Sequence, residues 1–103
     1  MAHARFSDAT VEAARSMPLL LAVQKLGFSC VEEDFKPRVH MGSRLFTVSD
    51  GDSLTLLLIT GVRWYDMNAK KGGGGAIDLA MHLRKVSFRQ AVKLLLTKDE
   101  TTH

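Results

Sequence analysis

Hydrophobic and polar positions follow two different periods along the chain, and each change of period marks an element. Leu19, Leu20, Val23 and Leu26 recur at the three-to-four-residue spacing of a helix with one buried face. Pro18 suits the first turn of that helix, where its missing N–H would go unpaired anyway, and Gly27 is a favourable stop. Ahead of it, Ser7 as N-cap with Asp8 in the first turn predicts a short helix reaching about Arg15. Cys30 to Pro37 is polar and acidic, which predicts a loop or a short edge strand. From Arg44 the period falls to two. Arg44 to Val48, Leu54 to Thr60 and Val62 to Asp66 read as strands, and the second, being the most apolar, is the central one. In the third, Val62, Trp64 and Asp66 share one face while Arg63 and Tyr65 share the other. Ser49 to Ser53 and Gly61 supply the turns of an antiparallel meander. Gly72 to Gly75 then exclude a helix or a stable strand interior. The helical period returns over Ala76 to Leu83, with Ile77, Leu79, Ala80 and Leu83 as its apolar positions. Ser87 caps a last helix that buries Phe88, Ala91, Val92, Leu94 and Leu95.

The pattern predicts an α+β fold: a small antiparallel sheet of about three to five strands, flanked by N-terminal and C-terminal helices. The 103 residues suffice for one compact domain, with residues 1–6 and 97–103 expected to fray. Trp64 and Phe46 are expected in the core between sheet and helices. Apolar residues make up 46% of the chain and charged residues 24%, values that argue against disorder and for an ordinary globular protein. No apolar run is long enough to cross a bilayer and no secretory leader is visible, so a cytoplasmic protein with no membrane partner is expected.

Charge sharpens this picture. The net charge is +3, and residues 36–71 carry six basic residues against three acids, so this middle third holds the whole excess. A basic groove beside an aromatic face is what single-stranded nucleic acid needs. Arg44, Arg63, Lys70 and Lys71 are the candidate phosphate contacts, with Lys36 and Arg38 at the edge, and Tyr65 is the candidate stacking ring. Arg44 and Arg63 read equally well as solvated strand residues. The glycine run precedes a helix N-terminus but matches no phosphate-loop pattern, so it reads as a structural turn, and Asp78 as a residue favoured by the helix dipole. Asp50 and Asp52 read as turn chemistry. No nucleophile lies beside a base in any recognisable pattern, and the expectation is a binding protein, not an enzyme.

Two segments carry a family resemblance. Gly72 to Leu83, followed by Val86 to Leu95, resembles the end of the CHC2-type zinc-binding domain of bacterial primases. Pro18 to Phe28 is similar to that family's leading helix, and Arg44 to Asp66 would be its sheet. The family's second cysteine pair falls at Met67 and Lys70, and of its first ligand pair only His40 could serve. A zinc site needs four nitrogen or sulfur donors. His3, His82 and His103 share no ligand spacing and Cys30, the single cysteine, reads as a half-buried small hydrophobe, so no metal and no cofactor is expected. The chain is more similar to zinc-less, primase-like regions of Toprim-containing replication or mobilisation proteins of plasmids and other mobile elements. Pro18, Leu19, Val23, Leu26 and Gly27, then Trp64-Tyr65-Asp66, then Gly72 to His82 carry that resemblance. It implies a zinc-ribbon-like primase domain without zinc, working on nucleic acid as an accessory to DNA replication or priming. A primase, polymerase or helicase of the same element is the implied protein partner. The alternative is an adaptor that docks onto such an enzyme and binds DNA weakly, through the sheet or the last helix.

Overall fold

The computed structural model of the chain describes residues 6–34 and 42–96. Lys36, Arg38 and His40 lie outside the described residues, as do both expected frayed ends except Phe6, which packs half-buried against the core. Two helices lead, α1 (Asp8–Arg15) and α2 (Leu19–Lys25). Five strands follow, β1 (Ser29–Glu32), β2 (Ser43–Ser49), β3 (Leu54–Thr60), β4 (Arg63–Asp66) and β5 (Lys71–Gly74). Helices α3 (Ala76–Arg84) and α4 (Phe88–Leu96) close the described chain. The fold is α+β.

Local chemistry sets the helix ends. The Ser7 hydroxyl accepts from the Thr10 N–H at 3.1 Å, capping α1. Pro18 stands one position earlier than the pattern suggests, as the N-cap of α2 and not in its first turn. After α2, Gly27 takes φ +90° and its N–H bonds the Gln24 carbonyl, while the Phe28 N–H reaches back to Val23. That pair of bonds is the Schellman closure, which favours glycine at this position. Ser87 and Gln90 cap α4 reciprocally: the Gln90 N–H donates to the Ser87 hydroxyl at 3.2 Å, and the Ser87 N–H to the Gln90 side chain at 3.5 Å.

The sheet is a continuous antiparallel meander in the order β1-β2-β3-β4-β5 with β3 at its centre. Phe46 faces Leu57, Leu57 faces Asp66, and Ile59 faces Trp64 across neighbouring strands. These residues, with Val48, form the buried face on which the helices pack. Trp64 and Phe46 are core, as the alternation predicts. The other face carries Leu45, Leu56, Leu58, Arg63 and Tyr65, and no helix among the described residues covers it. Gly61 takes φ +64° and Val62 completes the two-residue turn between β3 and β4. Val62 is therefore an exposed turn residue, not the third member of the Trp64 face.

Strand β5 and helix α4 also depart from the pattern. Gly72 to Gly74 form an edge strand after all, because β4 supplies the pairing that glycine alone does not favour. The missing side chains are required there: a Cβ at Gly73 would sit 1.9 Å from Asp78 Oδ2 and 2.8 Å from the Trp64 ring. In α4, Ala91, Val92 and Leu95 are buried, whereas Phe88 and Leu94 are largely exposed. Leu94 is about 100° round the helix from Leu95, and Phe88 is at the helix's first position, beyond the packed turn.

Candidate functional site

The structure divides the cations that the sequence groups together. Arg44 lies two residues from Phe46 on β2 and so shares its face. There it binds Glu32 of β1 through both arms, Nε at 3.0 Å and Nη2 at 2.7 Å, and its guanidinium lies 5.1 Å from the Phe46 ring centroid. The Arg44 hydrogen bond holds the Glu32 carboxyl below its ordinary range. Arg44 is thus ion-paired on the helix-side face of β2 and is not on the surface that carries Arg63. The Glu32 partner sits where β1 pairs with Phe46, a long-range register that no local pattern displays.

Arg63 and Tyr65 do come together. Both project from β4 on the uncovered face, and Tyr65 is 40% exposed. Beside them Leu58, Thr60 and the glycines of β5 complete a shallow concavity of about 810 Å³. Its glycine rim is side-chain-free. The Tyr65 ring leans over Gly72, whose Cβ would lie 3.1 Å from Tyr65 Cδ1, while a Cβ at Gly74 would meet nothing nearer than 3.9 Å. A flat ring can approach that backbone closely.

Lys70 and Lys71 stand at the end of this rim. Lys70 is the last residue of the loop between β4 and β5 and has φ +58°. Lys71 pairs with Asp66 and belongs to the helix-side face, so it lines a second, narrower groove of about 260 Å³ between β5 and α3. Lys85, at the end of α3, lines the same groove. Sequence reasoning does not find Lys85, because nothing local relates it to Lys71. Among the described residues, Arg63, Lys70, Lys71 and Lys85 make no ion pair.

Next to the narrower groove, which His82 also lines, lies a buried polar network that sequence reasoning also misses. Asp66 Oδ1 accepts from the Thr55 hydroxyl at 2.6 Å and from the Asn68 and Ala69 N–H groups at 2.9 Å. Its Oδ2 is 2.7 Å from His82 Nε2, and both side chains are only 8% exposed. Burial alone would raise the Asp66 carboxyl, but hydrogen bonds from Thr55, Ala69, His82 and Asn68 outweigh it and hold the group below its ordinary value. His82 stacks on Trp64 with ring centroids 4.9 Å apart. The Trp64 indole N–H is buried with no hydrogen-bond partner among the described residues. The Asp66 carboxylate therefore organises the loop over Met67 to Lys70, the positions where the resemblance places a pair of zinc thiolates. No group of three metal-ligating side chains occurs among the described residues.

The remaining sequence candidates are structural. Asp78 Oδ2 accepts from the Gly74 N–H at 3.0 Å and ties β5 to α3. Asp50 Oδ1 accepts from the Asp52 and Ser53 N–H groups at 3.0 and 2.8 Å and shapes the turn between β2 and β3. Cys30 is half-buried, and burial pushes its thiol up. No helix among the described residues is long and apolar enough to cross a membrane. Neither family models, curated proteins nor solved structures give a match to the chain.

Proposed function

We propose that this protein binds single-stranded nucleic acid, and DNA in particular, as an accessory to replication or priming of a plasmid or other mobile element in the cytoplasm. One observation carries the binding reading: an exposed tyrosine and an arginine with no ion pair among the described residues stand side by side over a glycine rim on the sheet face away from the described helices. Tyr65 offers a base its stacking face and Arg63 reaches a phosphate, with Lys70 at the end of the glycine rim and Lys71 across β5 on the helix side. Arg44 is not part of the proposed surface, since Glu32 occupies it. The replication setting rests on the resemblance carried by Pro18 to Gly27, Trp64 to Asp66 and Gly72 to His82, and a primase, polymerase or helicase is the protein partner it suggests.

A second reading, an adaptor that docks onto such an enzyme, is favoured by a different observation. The uncovered face over β1, β2 and β3 presents Val31 at 59% and Leu54 at 61% exposure beside Leu45 and Leu56. Antiparallel sheets usually turn a polar face to water, and a contiguous apolar one marks a contact surface.

Fluorescence anisotropy with a labelled oligothymidylate separates the two. Binding that weakens steeply with salt, and that falls by about fivefold or more in Tyr65→Ala, supports the nucleic-acid reading, since one stacked base contributes roughly 1–3 kcal/mol. No binding at low salt overturns it in favour of the adaptor.

A further inference from the structure

Among the described residues, two that are not glycine adopt positive φ, and both are lysines: Lys70 at 58° and Lys85 at 57°. Lys70 ends the loop into β5, and Lys85 ends α3. Glycine or asparagine is the usual occupant of such positions, because a Cβ there crowds the backbone. Neither lysine gains an ion pair within the described residues to offset that strain. Strained backbone of this kind persists only where the surrounding structure holds it, and it clusters at ligand-binding sites. Lys85 shares a groove with Lys71, and Lys70 is the chain neighbour of Lys71. The one acid lining that groove, Asp78, is engaged with the Gly74 N–H. This groove and the Arg63–Tyr65 concavity lie on opposite sides of β5 and share Trp64 and Gly72. Only a glycine edge strand separates them.

We propose that Lys70, Lys71 and Lys85 form a second phosphate-binding site on the helix side of β5, and that one nucleic-acid strand crosses the glycine edge from Tyr65 to reach it. This rests on the nucleic-acid reading of the Tyr65 side. Crossing demands a sharp turn of the ligand around a single β-strand. A single strand turns between adjacent phosphates, whereas duplex DNA stays stiff over about 150 base pairs. The edge therefore selects single strands by shape.

The test uses the full chain, a labelled oligothymidylate and a duplex of the same length, titrated at several salt concentrations. The Lys70→Gly, Lys85→Gly double variant relieves the strain, so its melting temperature is expected to equal or exceed the parent's. Its affinity for the oligothymidylate is expected to fall on the order of tenfold, with the salt slope reduced by about 0.7 for each phosphate no longer neutralised. A purely structural role for the two lysines would not give that combination. If glycine loosens either turn, Lys70→Asn with Lys85→Asn keeps the left-handed backbone and removes the same charges, and Lys71→Ala tests the groove without touching either turn. Unchanged affinity in these variants, or a duplex bound as tightly as the single strand, overturns the second site while leaving the Tyr65 site standing. Absence of any salt-dependent binding by the parent overturns both.

Discussion

At the scale of single residues, the Asp66 carboxylate and the glycines of β5 dominate. Asp66 accepts four hydrogen bonds in a buried place. Replacing it by alanine leaves His82 and two backbone N–H groups without their acceptor, and Thr55 with only the Asn68 side chain at 3.0 Å. We expect Asp66→Ala to cost about 3 kcal/mol or more in urea unfolding. The pH dependence has a definite sign. The folded-state carboxyl titrates below its ordinary value of 3.8. Its contribution is therefore complete above that value and is lost as pH falls through the lower folded one. Stability attributable to Asp66 is expected to be flat from neutral pH down to about 5, and to drop below about 4. Unfolding midpoints measured over that range, with Asp66→Asn as control, check this. The glycines give a contrasting pair. A Cβ at Gly73 meets the Asp78 carboxylate and the buried Trp64 ring, whereas one at Gly74 has room. Gly73→Ala is expected to destabilise by about 1–3 kcal/mol and Gly74→Ala by far less, as read from thermal melts.

Helices and turns are the most legible elements. Ser7, Gly27 and Ser87 act through neighbours within a few residues, so the sequence alone places them. Ser87→Ala is expected to cost about 1 kcal/mol, the usual penalty for removing an N-cap. Strand β5 is not legible, because glycine carries no local strand preference and the pairing with Trp64 and Tyr65 is supplied by β4. Arg44 is a different case. Its two-residue spacing from Phe46 puts both on one face, and Phe46 is a core residue. The alternation that separates Arg63 from Trp64 on β4 applies equally on β2, so this signal is present in the sequence. The Asp66–His82 pair spans 16 residues and two elements, and Lys71 meets Lys85 only across the groove between β5 and α3. Neither has a local signature.

For the whole molecule, the asymmetry of the sheet matters most. One face is buried beneath α2 and α3, with α1 and α4 packed on them, around Leu57, Leu79, Leu95, Val23, Val48 and Val92, while the other carries half-buried and exposed leucines. Substituting a charge at Leu56, half-buried on the face away from the described helices, is expected to cost about 1 kcal/mol. Leu57→Ala, one residue along the same strand but in the sealed core, is expected to cost about 2–5 kcal/mol. Parallel urea titrations of the two variants check the assignment of faces.

The sequence by itself determined the periods of its elements, their caps and turns, and the meander that follows from short connections, because each of these rests on interactions between residues close along the chain. Only the tertiary structure decided that Lys71 and Lys85 share a groove, that a carboxylate and a histidine hold the loop before β5, and that a run of glycines becomes an edge strand. Those outcomes depend on strand register and on helix placement over the sheet, which bring together residues that no local spacing relates.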